Sequence, residues 1–113
     1  MKWRLLTNKE ATDKFVSTSL IGYVKIPYKE IVKILGEATF SEASPDEKVR
    51  KEWVLDIGGK KATVYDWKNY GLKMTDSFDD WHIGGNNPEV FDEVCDILKI
   101  DKKQRKLRES LKC

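Results

Sequence analysis

Glu52-Trp53-Val54-Leu55-Asp56-Ile57-Gly58-Gly59-Lys60-Lys61-Ala62-Thr63-Val64-Tyr65-Asp66-Trp67-Lys68 is the stretch whose reading decides the fold. Two runs rich in β-branched and aromatic residues flank a glycine pair, which predicts a hairpin of strands 52–57 and 61–68 turning at Gly58 and Gly59. Strand side chains alternate between faces, so Trp53, Leu55 and Ile57 share one side with Ala62 and Val64, and that side is expected to be core. The other side then carries Val54, Tyr65 and Trp67.

Upstream, residues 2–7 suit a short strand with Trp3 and Leu5 on one face, and residues 8–14 are polar and turn-like. Residues 15–26 read as extended, because Phe15, Val16, Ile21, Tyr23, Val24 and Ile26 are β-formers and Gly22 marks a bulge or close approach. Pro27 fits the start of a helix whose buried stripe is Ile31, Ile34 and Leu35, with Gly36 placed to end it. Residues 37–48 are acidic and loop-like, with Ser44-Pro45-Asp46 as a turn signal.

Downstream, residues 69–80 are polar and read as a long loop, and residues 81–83 as a short strand leading into Gly84-Gly85-Asn86-Asn87. A second helix follows, opened by Pro88 with Asn87 as its cap, and Val90, Phe91, Val94, Cys95 and Leu98 recur at helical spacing. The expectation is one α+β domain over residues 1–100: a small antiparallel sheet of three to five strands around a central hairpin, packed against two helices. Residues 101–113 follow as a basic tail, expected to be helical.

A chain of 113 residues fits one domain, and 40% hydrophobic with 35% charged residues can make a core with a solvated surface. The net charge is +2, yet residues 99–113 hold seven Lys or Arg against two Asp or Glu, a local +5 that leaves −3 for the remainder. A basic tail on an acidic body is not the basic stripe of a sequence-specific nucleic-acid binder. Cys95 and Cys113 have no disulfide-framework or zinc spacing. No secretory leader is expected from residues 1–6, and no segment suits a bilayer span, so a reducing cytoplasm is the expected setting.

Three constellations bear on chemistry. In Trp81-His82-Ile83-Gly84-Gly85-Asn86-Asn87-Pro88 the glycines stand just ahead of a helix start, where a turn can aim free backbone N–H groups at a phosphate or carboxylate; a plain tight turn is the alternative. Tyr65 and Trp67 share a face and can form a stacking platform for a nucleobase, with Lys68 for a phosphate and Tyr70 nearby; core packing explains aromatic rings equally well. Thr18 and Ser19 offer hydroxyls beside Gly22, suited to phosphate or ribose. His82 is the sole histidine and lacks a nucleophile or orienting carboxylate at a motif spacing, so no catalytic residue is assigned. A metal site using Asp76, Asp79 or Asp80 stays open as an alternative, and no cofactor is expected.

The ordered series Thr18-Ser19-Leu20-Ile21-Gly22-Tyr23, Leu35-Gly36-Glu37, Glu52-Trp53-Val54, Ala62-Thr63-Val64-Tyr65-Asp66-Trp67-Lys68 and Trp81-His82-Ile83-Gly84-Gly85 resembles a widespread family of small proteins of tailed phages and prophages. The resemblance covers roughly residues 17–98. It departs from the family around the first helix, at Pro27 and Ala38, and the basic tail looks like an addition. The likeness extends to anti-CBASS sponges, which would imply sequestration, without cleavage, of cyclic dinucleotide immune signals in the host cytoplasm. A homodimer would suit such a pseudo-symmetric ligand. On that reading the ligand-binding residues are Thr18, Ser19, Tyr65, Trp67, Lys68, Trp81, His82, Gly84, Gly85 and Asn86. The competing expectations are a phage protein that inhibits a host protein through Trp67, Trp81 and the tail, and a small metal-dependent nuclease or phosphodiesterase.

Overall fold

The computed structural model describes residues 2–13, 18–41, 49–67 and 74–107. In chain order these form β1 (Trp3–Leu5), α1 (Asn8–Asp13), β2 (Ser19–Lys25), α2 (Tyr28–Leu35), β3 (Glu52–Ile57), β4 (Lys60–Tyr65), β5 (Asp80–Gly85), α3 (Glu89–Ile97), a 3₁₀ turn (Lys102–Gln104) and β6 (Arg105–Leu107). The strands make one antiparallel sheet in the order β1-β3-β4-β5-β2-β6.

The hairpin at its centre folds as its residues dictate. Gly58 and Gly59 take φ of 58° and 91°, the left-handed values a two-residue turn requires and which only glycine adopts without strain. The Gly59 N–H donates to Asp56 Oδ1 at 2.9 Å, which ties the turn to the strand before it. Trp53 then faces Val64 and Leu55 faces Ala62, the expected pairing.

All five of these side chains from Trp53 to Val64 on the core face are buried, and the helices lie over them. Helix α2 begins after Pro27 and ends where Gly36, at φ 93°, turns its N–H back to the Val32 carbonyl. Ile31 and Leu35 of that helix join Trp53 and Trp81, whose rings meet edge to face with centroids 5.3 Å apart. Each indole N–H finds a carbonyl at 2.9 Å, Trp53 on Gly36 and Trp81 on Ile26, so burial of both large rings leaves no donor unsatisfied. The α3 stripe of Val90, Phe91, Val94 and Cys95 is fully withdrawn from solvent. Burial drives the Cys95 thiol up to about 12, which keeps it protonated and unreactive.

The structure corrects the sequence reading in four places. The sheet has six strands, not three to five. Residues 8–13 form a short helix rather than a turn, because Thr7 Oγ1 accepts the Glu10 N–H at 3.2 Å while Glu10 Oε1 accepts the Thr7 N–H at 3.0 Å, a reciprocal helix start. The tail opens with the 3₁₀ turn Lys102–Gln104, but it does not continue as a helix: Arg105–Leu107 pairs with β2 and completes the sheet edge. Gly84 and Gly85 are not a turn but the last residues of β5, paired with β4 on one side and β2 on the other. Phe15, Val16, residues 42–48, Lys68, Tyr70 and the tail beyond Leu107 lie outside the described residues. Among the described residues no helix is long and apolar enough to cross a membrane.

Candidate functional site

Helices α2 and α3 cover one face of the sheet; on the other, Val54, Thr63 and Gly84 are buried and the rings of Tyr23, Tyr65 and His82 are half-buried. Strand parity sends Trp81 and Ile83 into the core and turns His82 outward. Directly paired residues of neighbouring strands share a face, so the registers Glu52↔Tyr65, Tyr65↔His82, Tyr23↔His82 and Tyr23↔Lys106 define one row crossing five strands, Glu52-Tyr65-His82-Tyr23-Lys106.

His82 is the hub of this row. Its ring meets Tyr23 edge to face at 4.9 Å and Tyr65 at 5.5 Å, and stacks with Trp67 at 6.2 Å and an interplanar angle of 27°. Trp67, 43% exposed, presents more open surface than any other large hydrophobic side chain among the described residues. Beside the rings lies a floor that needs glycine. A Cβ on Gly84 would stand 2.6 Å from Thr63 Oγ1, 3.2 Å from Thr18 Oγ1 and 3.4 Å from Tyr65 Cε1. Two hydroxyls therefore converge there, and that of Thr63 is buried without a hydrogen-bond partner.

One end of the row is acidic. Asp66 is fully buried; its Oδ1 accepts the Arg50 and Lys51 N–H groups at 2.8 and 2.9 Å, and its Oδ2 has no hydrogen-bond partner among the described residues. Burial first, then the nearby Asp66, holds the Glu52 carboxyl above the usual carboxylate range. Burial likewise raises the Tyr65 phenol, helped by Glu52, and lowers the His82 imidazole against the pull of Asp80 and Asp66. The imidazole is thus neutral at neutral pH. The other end is basic: a groove of about 580 Å³ beside Tyr23 is lined by Lys25, Lys103, Gln104, Arg105 and Lys106, with Asp80 among them. Lys25 is paired with Asp80 at 3.2 Å and Arg105 with Asp92 and Asp96 at 3.6 Å, while Lys103 and Lys106 make no ion pair among the described residues.

Ionising Glu52 costs stability, and the sign can be read from its shift. The folded chain holds the Glu52 proton to a higher pH than the unfolded chain, whose value is near 4.5. Stability from this group is complete below 4.5 and is lost as pH rises through the folded value. Glu52→Gln is expected to melt higher than the parent at neutral pH and at the same temperature well below 4.5, as followed by circular dichroism across pH.

Of the residues singled out from the sequence, the structure gathers Thr18, Tyr65, Trp67, His82 and Gly84 on this face. It sends four elsewhere. Trp81 is wholly buried, which also removes it as an anchor for a partner protein. Gly85 looks toward α3, with Ser19 paired opposite it. Asn86 extends the ladder, its N–H donating to the Lys61 carbonyl at 3.4 Å and its Oδ1 accepting the Lys61 N–H at 3.2 Å. The expected anion seat is likewise corrected. The N–H groups of Glu89, Val90 and Phe91 at the start of α3 go to Asn87 Oδ1, the Asn87 carbonyl and the Pro88 carbonyl, so none is left aimed at a ligand. Lys68 lies outside the described residues. No group of three His, Cys, Asp or Glu side chains among the described residues is arranged to hold a metal.

Tyr23, Thr63, Glu52, Asp66, Lys103 and Lys106 were missed as site residues. Parity against Val24 was the signal available for Tyr23, and a charged residue opening an otherwise apolar strand was the signal for Glu52. Fold and site together define a small α+β protein with α2 and α3 on one sheet face and a half-buried aromatic strip with exposed Trp67 on the other, acidic on one side and basic on the opposite one. Compared with known proteins, the chain matches no family model, no curated protein and no solved structure.

Proposed function

We propose that this protein binds a nucleotide and withholds it without cleaving it, a cyclic dinucleotide being the ligand that the phage-family resemblance favours. The observation that carries the reading is the cluster of Tyr23, Tyr65, Trp67 and His82 on one sheet face. A base stacks on the exposed Trp67 and on Tyr65, since every base has a π-face and the platform is already assembled. Phosphate charge is met by Lys103 and Lys106 in the adjoining groove rather than by glycine amides. Neutral His82 serves as a hydrogen-bonding ring within the platform.

Titration calorimetry with 3′,3′-cyclic GMP-AMP and related cyclic dinucleotides tests this reading. Saturable heat is expected, with the ligand recovered intact after the protein is heat-denatured. Trp67→Ala is expected to weaken binding about tenfold to a hundredfold, the usual loss for one stacked base, while the melting temperature falls far less than for a core tryptophan because the ring is 43% exposed. Heat from none of these ligands at micromolar protein, or recovery of cleaved ligand, would remove the proposal.

A further inference from the structure

The geometry points to Glu52 as the group that selects the base, and to guanine as the base selected. This rests on the nucleotide reading above. Glu52 stands directly opposite Tyr65 across the β3–β4 ladder, with Phe40 bridged to it on its other side. It is half-buried, and its carboxylate takes part in no hydrogen bond or ion pair among the described residues. Behind it Asp66, fully buried, spends one oxygen on two backbone amides and leaves the other without a partner among the described residues. Glu52 therefore presents an acceptor that no described residue satisfies, and a half-buried acceptor without a donor carries a penalty that a ligand can relieve.

Guanine suits this end better than the other bases do. Its Watson–Crick edge carries two adjacent donors, N1–H and the N2 amino group, spaced for the two oxygens of one carboxylate, and such paired charge-assisted bonds are the strong ones. Adenine offers one amino donor beside the N1 lone pair, which would face the carboxylate and be repelled. Cytosine has the same defect, and uracil has one donor between two acceptors. The row also fixes which way the ligand lies: base edge toward Glu52, phosphate toward Lys106 and Lys103, with negative and positive ends of the strip matched to donors and anion. The elevated proton affinity of Glu52 agrees with a carboxylate short of donors, because donors supplied by a ligand would favour its charged form.

The test is calorimetric titration of the full chain with cyclic di-GMP, cyclic GMP-AMP and cyclic di-AMP, which carry equal charge. The guanine-containing ligands are expected to bind at least about tenfold more tightly than cyclic di-AMP, the loss expected from one charge-assisted bond. Glu52→Gln is expected to erase that preference, by weakening the guanine ligands and leaving cyclic di-AMP as it was. Replacing guanosine by inosine in cyclic di-GMP removes the N2 amino donor and is expected to weaken binding by a similar factor, a measurement that holds even if the variant folds poorly. Equal affinity for all three ligands, or a preference that survives Glu52→Gln, overturns the assignment of Glu52 and leaves nucleotide binding standing. Binding of none of them overturns both.

Discussion

Trp53→Ala is expected to lower the stability of the fold by about 3–5 kcal/mol, the range for deleting a buried aromatic ring. The indole is inaccessible to solvent, lies against Trp81 and Tyr28, and donates to the carbonyl that ends α2. Removing it opens a cavity between the hairpin and α2 and leaves the Gly36 carbonyl without its donor. A domain of this size has roughly 5–15 kcal/mol in all, so the variant would unfold at much lower urea and sit near the edge of folding at body temperature. Urea denaturation followed by far-ultraviolet circular dichroism measures it. A loss under about 1 kcal/mol, the size of an ordinary surface change, would mean that Trp53 is not the centre of the core. Trp67→Ala removes the same side chain from the opposite face and provides the internal contrast.

That contrast explains how much was legible beforehand. Parity along the hairpin placed Trp53 inward and Tyr65 outward, because two strands joined by a glycine turn fix each other's register locally. The stripes of α2 and α3 were equally plain, since helical spacing of apolar residues needs no knowledge of the partner. Trp81 is a different matter. Its neighbours do not reveal whether it or His82 turns outward; this follows from β5 lying between β4 and β2 at the middle of the sheet. The same non-local pairing hid Tyr23, which belongs to the site because β2 borders β5 though nearly sixty residues separate them, as Tyr23↔His82 shows. A charged tail gave no hint of β6, whose pairing with β2 brings Lys106 to the end of the row. The Thr7–Glu10 helix start, by contrast, stands in the sequence as a Thr-x-x-Glu motif.

The division of labour between the two faces also separates stability from function. Core residues alternate with site residues along β3, β4 and β5, so each site side chain is held by buried neighbours on the same strand. Tyr65 follows Val64, and His82 lies between Trp81 and Ile83, all of them buried. Rigid strands are better supports for a recognition surface than loops are. The same arrangement leaves an unfavourable feature on the aromatic face, where Glu52 is kept half-buried without a donor among the described residues. A substitution there is expected to strengthen the fold and weaken recognition, the usual opposition at a binding site.

Gly85→Gln is expected to lower stability by about 3 kcal/mol, the upper part of the usual range for overpacking a filled interior. A Cβ alone at this position would stand 2.4 Å from Val90 Cγ2 and 3.1 Å from Ile21 Cδ1, and neither is the loose end of a long side chain. The helix must lift away from the sheet, or β5 must slip against β2 and β4, and both routes break packing that excludes water. In a diglycine turn on the surface, glutamine would cost no more than the strain of a left-handed backbone, about 1–2 kcal/mol, so this one substitution separates a strand glycine that lets α3 approach from a turn glycine that frees amides for an anion. Asn86→Ala, one residue further on and exposed, is the control: it gives up the bond to the Lys61 N–H and is expected to cost about 1 kcal/mol or less. Equal urea midpoints for Gly85→Gln and the parent would take Gly85 out from beneath α3 and restore the glycine pair as a candidate phosphate seat.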